Sequence, residues 1–406
     1  MPAWLRTVSA PLLQRHYPVQ FDLHPPTTTA QISDFLSKHH LLNGTSAKQA
    51  RLMLDNTHLT VEHVKDVAPQ PARSKIRIPA QWEPMESVLV TWSILYPPLW
   101  ELHAQIVEAI TPVCDVSVLV PAPLWAFAVY LYLCKRGKAN LARVRFLHLP
   151  TDDIWVRDYG PVVGIDEQGE QAAVYARYLT QPNYPQEHDG AAAALWAAHE
   201  EVPACFLNLR TEGGNLWSDG QGTLIMSEQV FRSNPHIDRA ELERRLHEVF
   251  IYDKLIILPR LRVEETGHID LLLKLANANT VLITKPADKG LGAWLNGRIV
   301  HSTRRLLDAQ TSARGEHYTI HELPAAAPYF NWGVYPIWRS YTNALTVNGR
   351  VLVPVYGIEE DDEALNTYRR AMPEHEILPI DCKVGINGGG AVHCLTKEIP
   401  AVELRM

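Results

Sequence analysis

Five polar stretches of the chain contain side chains that could carry out covalent chemistry together. Between them they supply a thiol, Cys394, an imidazole, His268, and three carboxylates, Asp158, Glu212 and Asp270. A cysteine beside a histidine can act as a nucleophile, because the imidazole takes the thiol proton and later protonates a leaving group. The carboxylates oppose this role, since acidic neighbours raise the pKa of a thiol. The combination therefore indicates a site that binds a cationic substrate.

A guanidinium group is the cation that fits this set of side chains best. It is planar and permanently charged, and carboxylates bind it side-on through paired hydrogen bonds. We expect Asp158 and Asp270 to hold the cation and to present its central carbon to Cys394. The ring of Trp155 could stack on its face.

Several of these residues also have a structural interpretation. A lone buried cysteine such as Cys394 is usually an inert small hydrophobe. A buried histidine such as His268 is usually a structural residue whose ring nitrogens are hydrogen-bonded to the rest of the protein. Glu212 could accept backbone hydrogen bonds in the turn at Gly213. Asp152 and Asp153 are expected to cap a helix or turn rather than bind a ligand. Arg157 is expected to pair with a carboxylate inside the protein.

The elements that position the five stretches form an internal repeat. A strand, a loop, a helix and a second strand recur five times, and one polar stretch follows each copy. The copies begin at SVLVTWS, QAAVYARYL, GTLIMSE, NTVLIT and RVLVPVYG, and the polar stretches are WVRDYGP, TEGGN, ETGHID, RSYTN and NGGGAVHC. Because one such unit cannot bury its apolar face alone, five copies predict a closed ring with approximate fivefold symmetry. The polar stretches would then meet at one end of the ring axis.

The first 75 residues differ from this repeat. Short helical patterns occur near Ile32 to His39 and Ala47 to Leu54, and the stretch APQPARSK has the composition of a linker. We therefore expect a small, mainly helical N-terminal extension over residues 1–75 and a catalytic domain over residues 76–406.

Composition limits the classes of partner and the compartment. With a formal net charge of -7, the 406-residue chain has no basic surplus for binding nucleic acid. Its five cysteines are odd in number, widely separated and without a C-x-x-C pair, which is typical of reduced thiols in a cytoplasmic protein. Residues 116–134 are apolar over the length of a membrane span, but Pro121 and Pro123 divide them into a strand and a buried helix that ends near Gly137. No membrane partner is expected.

The motifs resemble those of a known family. RIPAQWEP, WVRDYGP, EGGN, GHID, SYTN and GGGAVHC occur in the same order in the agmatine deiminase and bacterial-type peptidylarginine deiminase family. The resemblance runs from about residue 77 to the C-terminus. It implies the α/β pentein fold of the guanidine-modifying superfamily, a propeller of five ββαβ blades with pseudo-fivefold symmetry.

The resemblance also implies roles for the site residues. Cys394 would be the nucleophile, His268 the general acid and base, Asp158 and Asp270 the guanidinium clamps, and Glu212 the carboxylate that orients the histidine. The reaction would release ammonia, leave a thiouronium on the cysteine, and then release a ureido product without a metal or organic cofactor.

Five further residues are assigned to substrate binding. They lie in the same motifs, where the glycines would let the backbone approach the substrate closely: Trp155, Asn215, Asn343, Gly389 and Gly390. The tail of the substrate is left open between agmatine, arginine and peptidylarginine. The stretch VYARYLTQPNYPQEHDG lacks the aromatic-Asn-Ala-Trp-Gly pattern that agmatine deiminases carry after their RD-x-GP motif, and it contains one arginine, Arg177, in the region where peptidylarginine enzymes bind a carboxylate.

Alternative functions remain open at this point. An amidinotransferase would use the same cysteine but deliver the amidino group to an amine, and a catalytically inactive relative would serve as a binding scaffold. A cysteine peptidase would give the carboxylates no role. A structural zinc site could use His268, Asp270, His393 and Cys394, although their spacing matches no closed zinc motif. Association with further copies of the chain is also left open.

Overall fold

The computed structural model describes residues 25–178, 186–262, 264, 266–285, 290–331 and 335–402. Three predictions lie partly outside these ranges: residues 1–24 of the extension, residues 179–185 of the stretch that was compared for substrate tail, and Glu265 of the histidine motif.

Helices and strands alternate along most of the chain. The helices are α1 (Thr29–Lys38), α2 (Ala47–Asp55), α3 (Trp100–Ile110), α4 (Pro123–Arg136), α5 (Val156–Tyr159), α6 (Glu187–His199), α7 (Gln229–Ser233), α8 (Arg239–Val249), α9 (Gly290–Asp308) and α10 (Glu360–Ala371). The strands are β1 (Val61–His63), β2 (Ile76–Arg77), β3 (Met85–Thr91), β4 (Asp115–Val120), β5 (Val144–His148), β6 (Val162–Asp166), β7 (Gln171–Arg177), β8 (Ala204–Arg210), β9 (Trp217–Ser218), β10 (Thr223–Ser227), β11 (Lys254–Leu258), β12 (Leu273–Asn277), β13 (Thr280–Thr284), β14 (Thr319–Leu323), β15 (Tyr329–Asn331), β16 (Tyr335–Ile337), β17 (Leu345–Val347), β18 (Arg350–Val355), β19 (Glu376–Asp381) and β20 (Lys397–Pro400).

Five sheets share one arrangement of three strands. An antiparallel pair is followed by a third strand that runs parallel to the second, and the connection to the third strand contains a helix. The triplets are β20–β3–β4, β6–β7–β8, β9–β10–β11, β12–β13–β14 and β17–β18–β19. The five predicted strand–helix–strand units and the α/β class are thereby confirmed. The closed ring of five blades stays a prediction.

The last strand of the chain completes the first unit. β20 pairs antiparallel with β3, with Lys397 opposite Leu89, so the segment that follows Cys394 is fixed to the start of the repeat. Central strands such as β3, β4 and β18 are nearly continuous runs of buried apolar residues, as expected for strands that are covered on both faces.

The apolar stretch at residues 116–134 folds as the prolines predicted. It forms most of β4 and of α4, which begins at Pro123 and ends at Arg136, and Gly137 follows the helix in the left-handed conformation at φ 68°. Glycine is favoured at this position because it adopts positive φ without strain. Within the described part of the chain, no helix has the length and apolar composition to cross a membrane.

The described part of the N-terminal extension packs against the first unit. Helices α1 and α2 each begin with a capping box, at Thr28 and Ser46, which confirms the two predicted helical patterns. The ring of Phe35 in α1 meets that of Trp125 edge-on at 5.3 Å between centroids. Strand β1 then pairs in parallel with β5, so the extension also lengthens the first sheet.

Candidate active site

The nucleophile candidate lies in a buried contact with an asparagine and a carboxylate. Nδ2 of Asn343 is 3.1 Å from Sγ of Cys394 and donates to Oδ2 of Asp270 at 3.0 Å. The same carboxylate oxygen is 3.7 Å from the sulfur. Cys394 is 5% exposed and Asp270 is fully buried, so their interaction takes place in a medium that screens charge poorly.

Asn343 also fixes the backbone around the cysteine. Its Oδ1 accepts hydrogen bonds from the backbone N–H of Ala391 at 3.0 Å and of Cys394 at 3.2 Å. The side chain thus uses both ends of its amide to hold the loop after the glycine run. This arrangement gives Asn343 a positioning contact, in addition to the substrate contact that stays a prediction.

The histidine candidate lies between two carboxylates. Nδ1 of His268 is 3.5 Å from Oδ1 of Asp158, and Nε2 is 3.4 Å from Oε2 of Glu212. Burial by itself lowers the pKa of His268, but the charges of Asp158 and Glu212 outweigh it and raise the pKa to about 10. The ring is therefore an imidazolium at neutral pH, a form that can donate a proton to a leaving group.

Asn215 accepts hydrogen bonds from the backbone of the loop that carries His268 and of the neighbouring strand. Its Oδ1 accepts from the backbone N–H of Ser227 at 3.0 Å and of Ile269 at 3.2 Å, and the residue is fully buried. It therefore ties the segment that carries His268 to the end of β10. These contacts are to the protein itself, and the predicted contact of Asn215 with substrate stays a prediction.

A glycine lets the two carboxylates and the histidine come together. A Cβ atom on Gly214 would lie 2.6 Å from Nδ1 of His268, 2.8 Å from Oδ1 of Asp158 and 3.2 Å from Oδ2 of Asp270. Its backbone N–H donates to Oδ1 of Asp158 at 3.0 Å. The backbone of Gly214, without a side chain, thus lies next to Asp158 and Asp270, the two carboxylates that were predicted to bind the guanidinium.

A second glycine separates the predicted stacking ring from the sulfur. A Cβ atom on Gly390 would lie 2.6 Å from Cζ3 of Trp155 and 3.1 Å from Sγ of Cys394, so no side chain fits there. At Gly389 the restriction is conformational, since φ is 92° although a Cβ atom there would meet no atom within 4 Å. The structure therefore brings Trp155, Gly390 and Cys394 next to each other.

Burial and charge set the resting ionisation of the site. Burial raises the pKa of the Cys394 thiol well above its usual range, and the carboxylates of Asp270 and Asp158 raise it further. Burial also raises the pKa of Asp270 to about 7 and that of Asp158 in the same direction. The site in its resting state thus combines a thiol with an imidazolium and with Asp158 and Asp270, whose charged forms a bound cation would favour.

Residues with predicted structural roles are found in those roles. Asp152 accepts from the backbone N–H of His188 at 2.9 Å in the first turn of α6, and Oδ1 of Asp153 accepts from the backbone N–H of Ile154 at 2.6 Å. Arg157 pairs with Glu398, and its Nε donates to the carbonyl of His393 at 3.1 Å. These contacts fix the ends of the WVRDYGP and GGGAVHC stretches to each other.

Three buried side chains lie behind Asp270; two of them were not predicted as part of the site, and the third, His393, was considered only as a possible zinc ligand. His393 is 2.7 Å from Oδ2 of Asp270, Gln81 contacts His393, and Lys274 contacts Gln81. The signals were present in the sequence, because Gln81 lies in RIPAQWEP and Lys274 interrupts the apolar run LLLKLAN. Among the residues that the structure describes, no group of three or more His, Cys, Asp or Glu side chains is arranged to hold a metal ion.

Known proteins resemble this chain over most of its length. The model of the Porphyromonas-type peptidyl-arginine deiminase family matches residues 77–400. An agmatine deiminase of Pseudomonas fluorescens is 27% identical over 375 residues, which cover 82% of this chain and 97% of the relative.

Solved structures resemble the chain as well. An agmatine deiminase of Enterococcus faecalis has a TM-score of 0.71 at 22% identity, covering 82% of this chain and 99% of that one. The agmatine deiminase of C. jejuni has a TM-score of 0.69 at 19% identity, covering 81% and 96% of the two chains. These likenesses show a shared fold. By the match over residues 77–400, the chain belongs to the Porphyromonas-type peptidyl-arginine deiminase family, a family of enzymes that act on guanidino groups.

Proposed function

We propose that the protein is a cysteine-dependent deiminase that hydrolyses a guanidino compound to its ureido product and ammonia. The observation that supports this most directly is the environment of Asp270. Its Oδ2 is held by His393 and Asn343, whereas its buried Oδ1 has no hydrogen-bond partner among the residues that the structure describes. A buried carboxylate oxygen that accepts no hydrogen bond carries an uncompensated desolvation free energy. A guanidinium N–H is a hydrogen-bond donor that matches this oxygen in charge and shape.

The first half of the reaction forms a covalent bond to sulfur. Binding of the cation beside Asp158 and Asp270 favours release of the Cys394 proton to solvent, and the thiolate attacks the central carbon of the guanidinium. The tetrahedral adduct takes a proton from the His268 imidazolium onto one nitrogen, and the carbon–nitrogen bond breaks. Ammonia leaves, and a thiouronium cation remains on the sulfur with His268 neutral.

The second half releases the product. Neutral His268 takes a proton from water as the water oxygen bonds to the thiouronium carbon. The carbon–sulfur bond then breaks with Cys394 as the leaving thiolate. The hydroxyl proton of the adduct passes to this sulfur, so the ureido compound leaves with the Cys394 thiol and the His268 imidazolium restored. One water is consumed for each ammonia and ureido product formed.

The finer structural predictions belong to the same proposal. The five three-stranded units would close into the pentein propeller, with residues 1–75 as an extension and residues 76–406 as the catalytic domain. The pairing of β20 with β3 supports closure, since it joins the end of the repeat to its beginning. We propose a cytoplasmic location and a small guanidino substrate, and the names of the relatives make agmatine the first candidate to assay.

The experiment that tests the proposed function measures both products at once. Purified protein is incubated with agmatine, free arginine, a blocked arginine peptide and simple guanidines, and ammonia and ureido product are quantified together. Cys394→Ala is the inactive variant. Cys382→Ala is the matched control, because Cys382 is also buried and the hydrogen bond of its thiol is to the backbone of Val392.

Three outcomes are distinguishable. Equal release of the two products from one substrate, lost in Cys394→Ala and kept in Cys382→Ala, supports the deiminase and identifies its substrate. Transfer of the amidino group to an added amine without matching ammonia would make the protein an amidinotransferase. Absence of both reactions with every substrate would leave the chain as a binding scaffold and overturn the proposal.

A further inference from the structure

A chain of buried hydrogen bonds extends from Asp270 away from the cysteine. Oδ2 of Asp270 is 2.7 Å from Nδ1 of His393, and Nε2 of His393 is 2.9 Å from Nε2 of Gln81. Oε1 of Gln81 is 3.2 Å from Nζ of Lys274. The ring of Trp217 stacks on that of His393 at 4.7 Å between centroids and 24° between planes. None of the hydrogen-bonding residues is more than 4% exposed.

The orientation of the Gln81 amide follows from its neighbours. Its Oε1 faces Nζ of Lys274 and the backbone N–H of Thr346, at 3.2 and 3.3 Å. A backbone N–H can only donate, so the contact with Thr346 requires the oxygen of the amide to lie on this side. The NH₂ group of Gln81 is thereby directed at His393.

The orientation of Gln81 determines the tautomer of His393. An amide NH₂ group has no acceptor capacity, so Nε2 of His393 must accept and carries no hydrogen. The ring hydrogen then lies on Nδ1, which donates to Oδ2 of Asp270. The same oxygen accepts a second hydrogen bond, from Nδ2 of Asn343. Oδ1 of Asp270 accepts neither of these two hydrogen bonds.

We infer that Gln81 and His393 are positioning residues for the reaction. Gln81 selects the Nδ1–H tautomer of His393, and His393 then holds Asp270 as a carboxylate with Oδ1 presented to the guanidinium. This inference rests on the proposed function, because it assigns Asp270 to the substrate cation. Neither residue needs to touch the substrate for this role.

The electrostatics of the cluster agree with the geometry. Burial raises the pKa of Asp270 to about 7, so donors to its Oδ2 are needed to favour the charged form near neutral pH. Burial lowers the pKa of His393 well below its usual range, and nearby cations lower it further, which keeps the ring a neutral donor. The charged and titratable groups that face Asp270 or His393 are Asp158, Arg157, Glu264, His268, Lys274, Cys394 and Lys397.

The first test measures binding rather than turnover. In a Cys394→Ala background, the affinity for agmatine is measured by calorimetry as a function of pH, with and without a change at His393. His393→Leu fills the space beside Trp217 but donates no hydrogen bond. His393→Asn places an amide N–H close to the former Nδ1 and is the conservative variant. His103→Leu is the control, since His103 is a fully buried histidine that bonds to the carbonyl of Leu99 in another part of the fold.

The expected result is a shift of the pH profile. Binding needs ionised Asp270, and a hydrogen bond to a charged group favours that form, so its loss raises the pKa of Asp270. We expect His393→Leu to move the pH at which affinity falls upward by roughly one to two pH units. We expect His393→Asn to stay close to the wild-type pH profile. An unchanged profile in His393→Leu, or a shift of the same size in His103→Leu, would overturn the inference.

The second test reads the tautomer without any substrate. With nitrogen-15 in the histidine rings, the His393 signals are identified by their absence in His393→Asn. The inference predicts that Nδ1 is protonated and Nε2 is not, and that Gln81→Glu adds a proton to Nε2 because a carboxylate can only accept there. A wild-type ring protonated on Nε2 would contradict it. If agmatine does not bind at all, agmatine is rejected as the substrate. The measured tautomer of His393 still tests the role inferred for Gln81.

Discussion

Gly214 leaves the space that the ring of His268 occupies: a Cβ atom at residue 214 would lie 2.6 Å from Nδ1 of the histidine. The same atom would lie 2.8 Å from Oδ1 of Asp158. His268 and Asp158, which are distant in sequence, therefore approach each other at a position that has no side chain.

This contact predicts the effect of adding one methyl group. We expect Gly214→Ala to displace His268 or Asp158 and to lower kcat/KM by about 100-fold or more, as a misplacement of reacting groups by about 1 Å does. Thermal stability is expected to change little by comparison. The measurement is steady-state kinetics on the substrate identified in the product assay, with circular dichroism to monitor folding.

The matched control for this variant is a glycine in open space. Gly190 lies in α6, and a Cβ atom there meets no atom within 4 Å. Gly190→Ala should keep full activity and stabilise the protein by about 0.5–1 kcal/mol, since alanine is the better helix former. Full activity in Gly214→Ala would show that His268 does not need its observed position.

The ionisation of Cys394 predicts a pH dependence of its reactivity. Burial and the carboxylates of Asp270 and Asp158 raise the pKa of the thiol, so the free enzyme is expected to hold mostly thiol at neutral pH. Alkylation of Cys394 by iodoacetamide should be slow at pH 7 and should accelerate as pH rises. A thiolate ultraviolet signal that is already complete at pH 7 without substrate would contradict this expectation.

The ion pair between Arg157 and Glu398 predicts a pH-dependent stability difference. Burial opposes the charge of Glu398, but Arg157 outweighs it and lowers the pKa of Glu398 from 4.5 to about 2. A depressed pKa contributes stability that is present above pH 4.5 and lost as the pH falls toward 2. Because both side chains are largely buried, we expect Glu398→Gln to cost about 3 kcal/mol at pH 7.

The measurement for this pair is urea unfolding at pH 7 and pH 3. The difference between wild type and Glu398→Gln should shrink at pH 3, because the wild-type carboxylate is already protonated in the unfolded chain at this pH. Glu243→Gln is the control, because its pair with Arg239 is exposed and such pairs contribute about 1 kcal/mol or less. An equal cost for the two variants would rule out the stabilising role of the Arg157 pair.

The packing of the N-terminal extension predicts that it unfolds together with the first unit. Leu36 of α1 is fully buried in a cluster that also contains Trp100 and Trp125. We expect Leu36→Ala to cost about 2–5 kcal/mol, as deletion of buried leucine methyls does, and to lower the main unfolding transition in calorimetry. The control is Leu52→Ala, since Leu52 is 55% exposed. A separate early transition, with the main one unchanged, would show that the extension unfolds on its own.

Local patterns were sufficient to predict most of the elements and to select side chains that the structure brings close together. The repeated strand–helix–strand pattern located the five units, and the polar stretch after each unit supplied Asp158, Glu212, His268, Asn343 and Cys394. The prediction of the elements succeeded because hydrophobic periodicity is a local property.

The hydrogen bonds that link Asp270 to His393, Gln81 and Lys274 could not be predicted from local sequence patterns. Gln81 lies 312 residues from His393 in the chain and 193 residues from Lys274. Their hydrogen bonds arise from the packing of separate units, which no periodicity encodes. The same reason applies to Asn215, whose bonds to Ser227 and Ile269 depend on the tertiary fold. The short strands β9 and β17 were also missed, since two or three residues are too few to show an alternating pattern.

The most direct test of the account is whether Cys394 becomes covalently attached to the substrate carbon. Enzyme mixed with substrate is quenched in acid during turnover, digested, and the peptide that contains Cys394 is weighed by mass spectrometry. The account predicts a transient adduct with the mass of the substrate minus ammonia, on Cys394 alone, that disappears as the ureido product accumulates. Product formation at the full rate by Cys394→Ala, or turnover with Cys394 never modified, would contradict it.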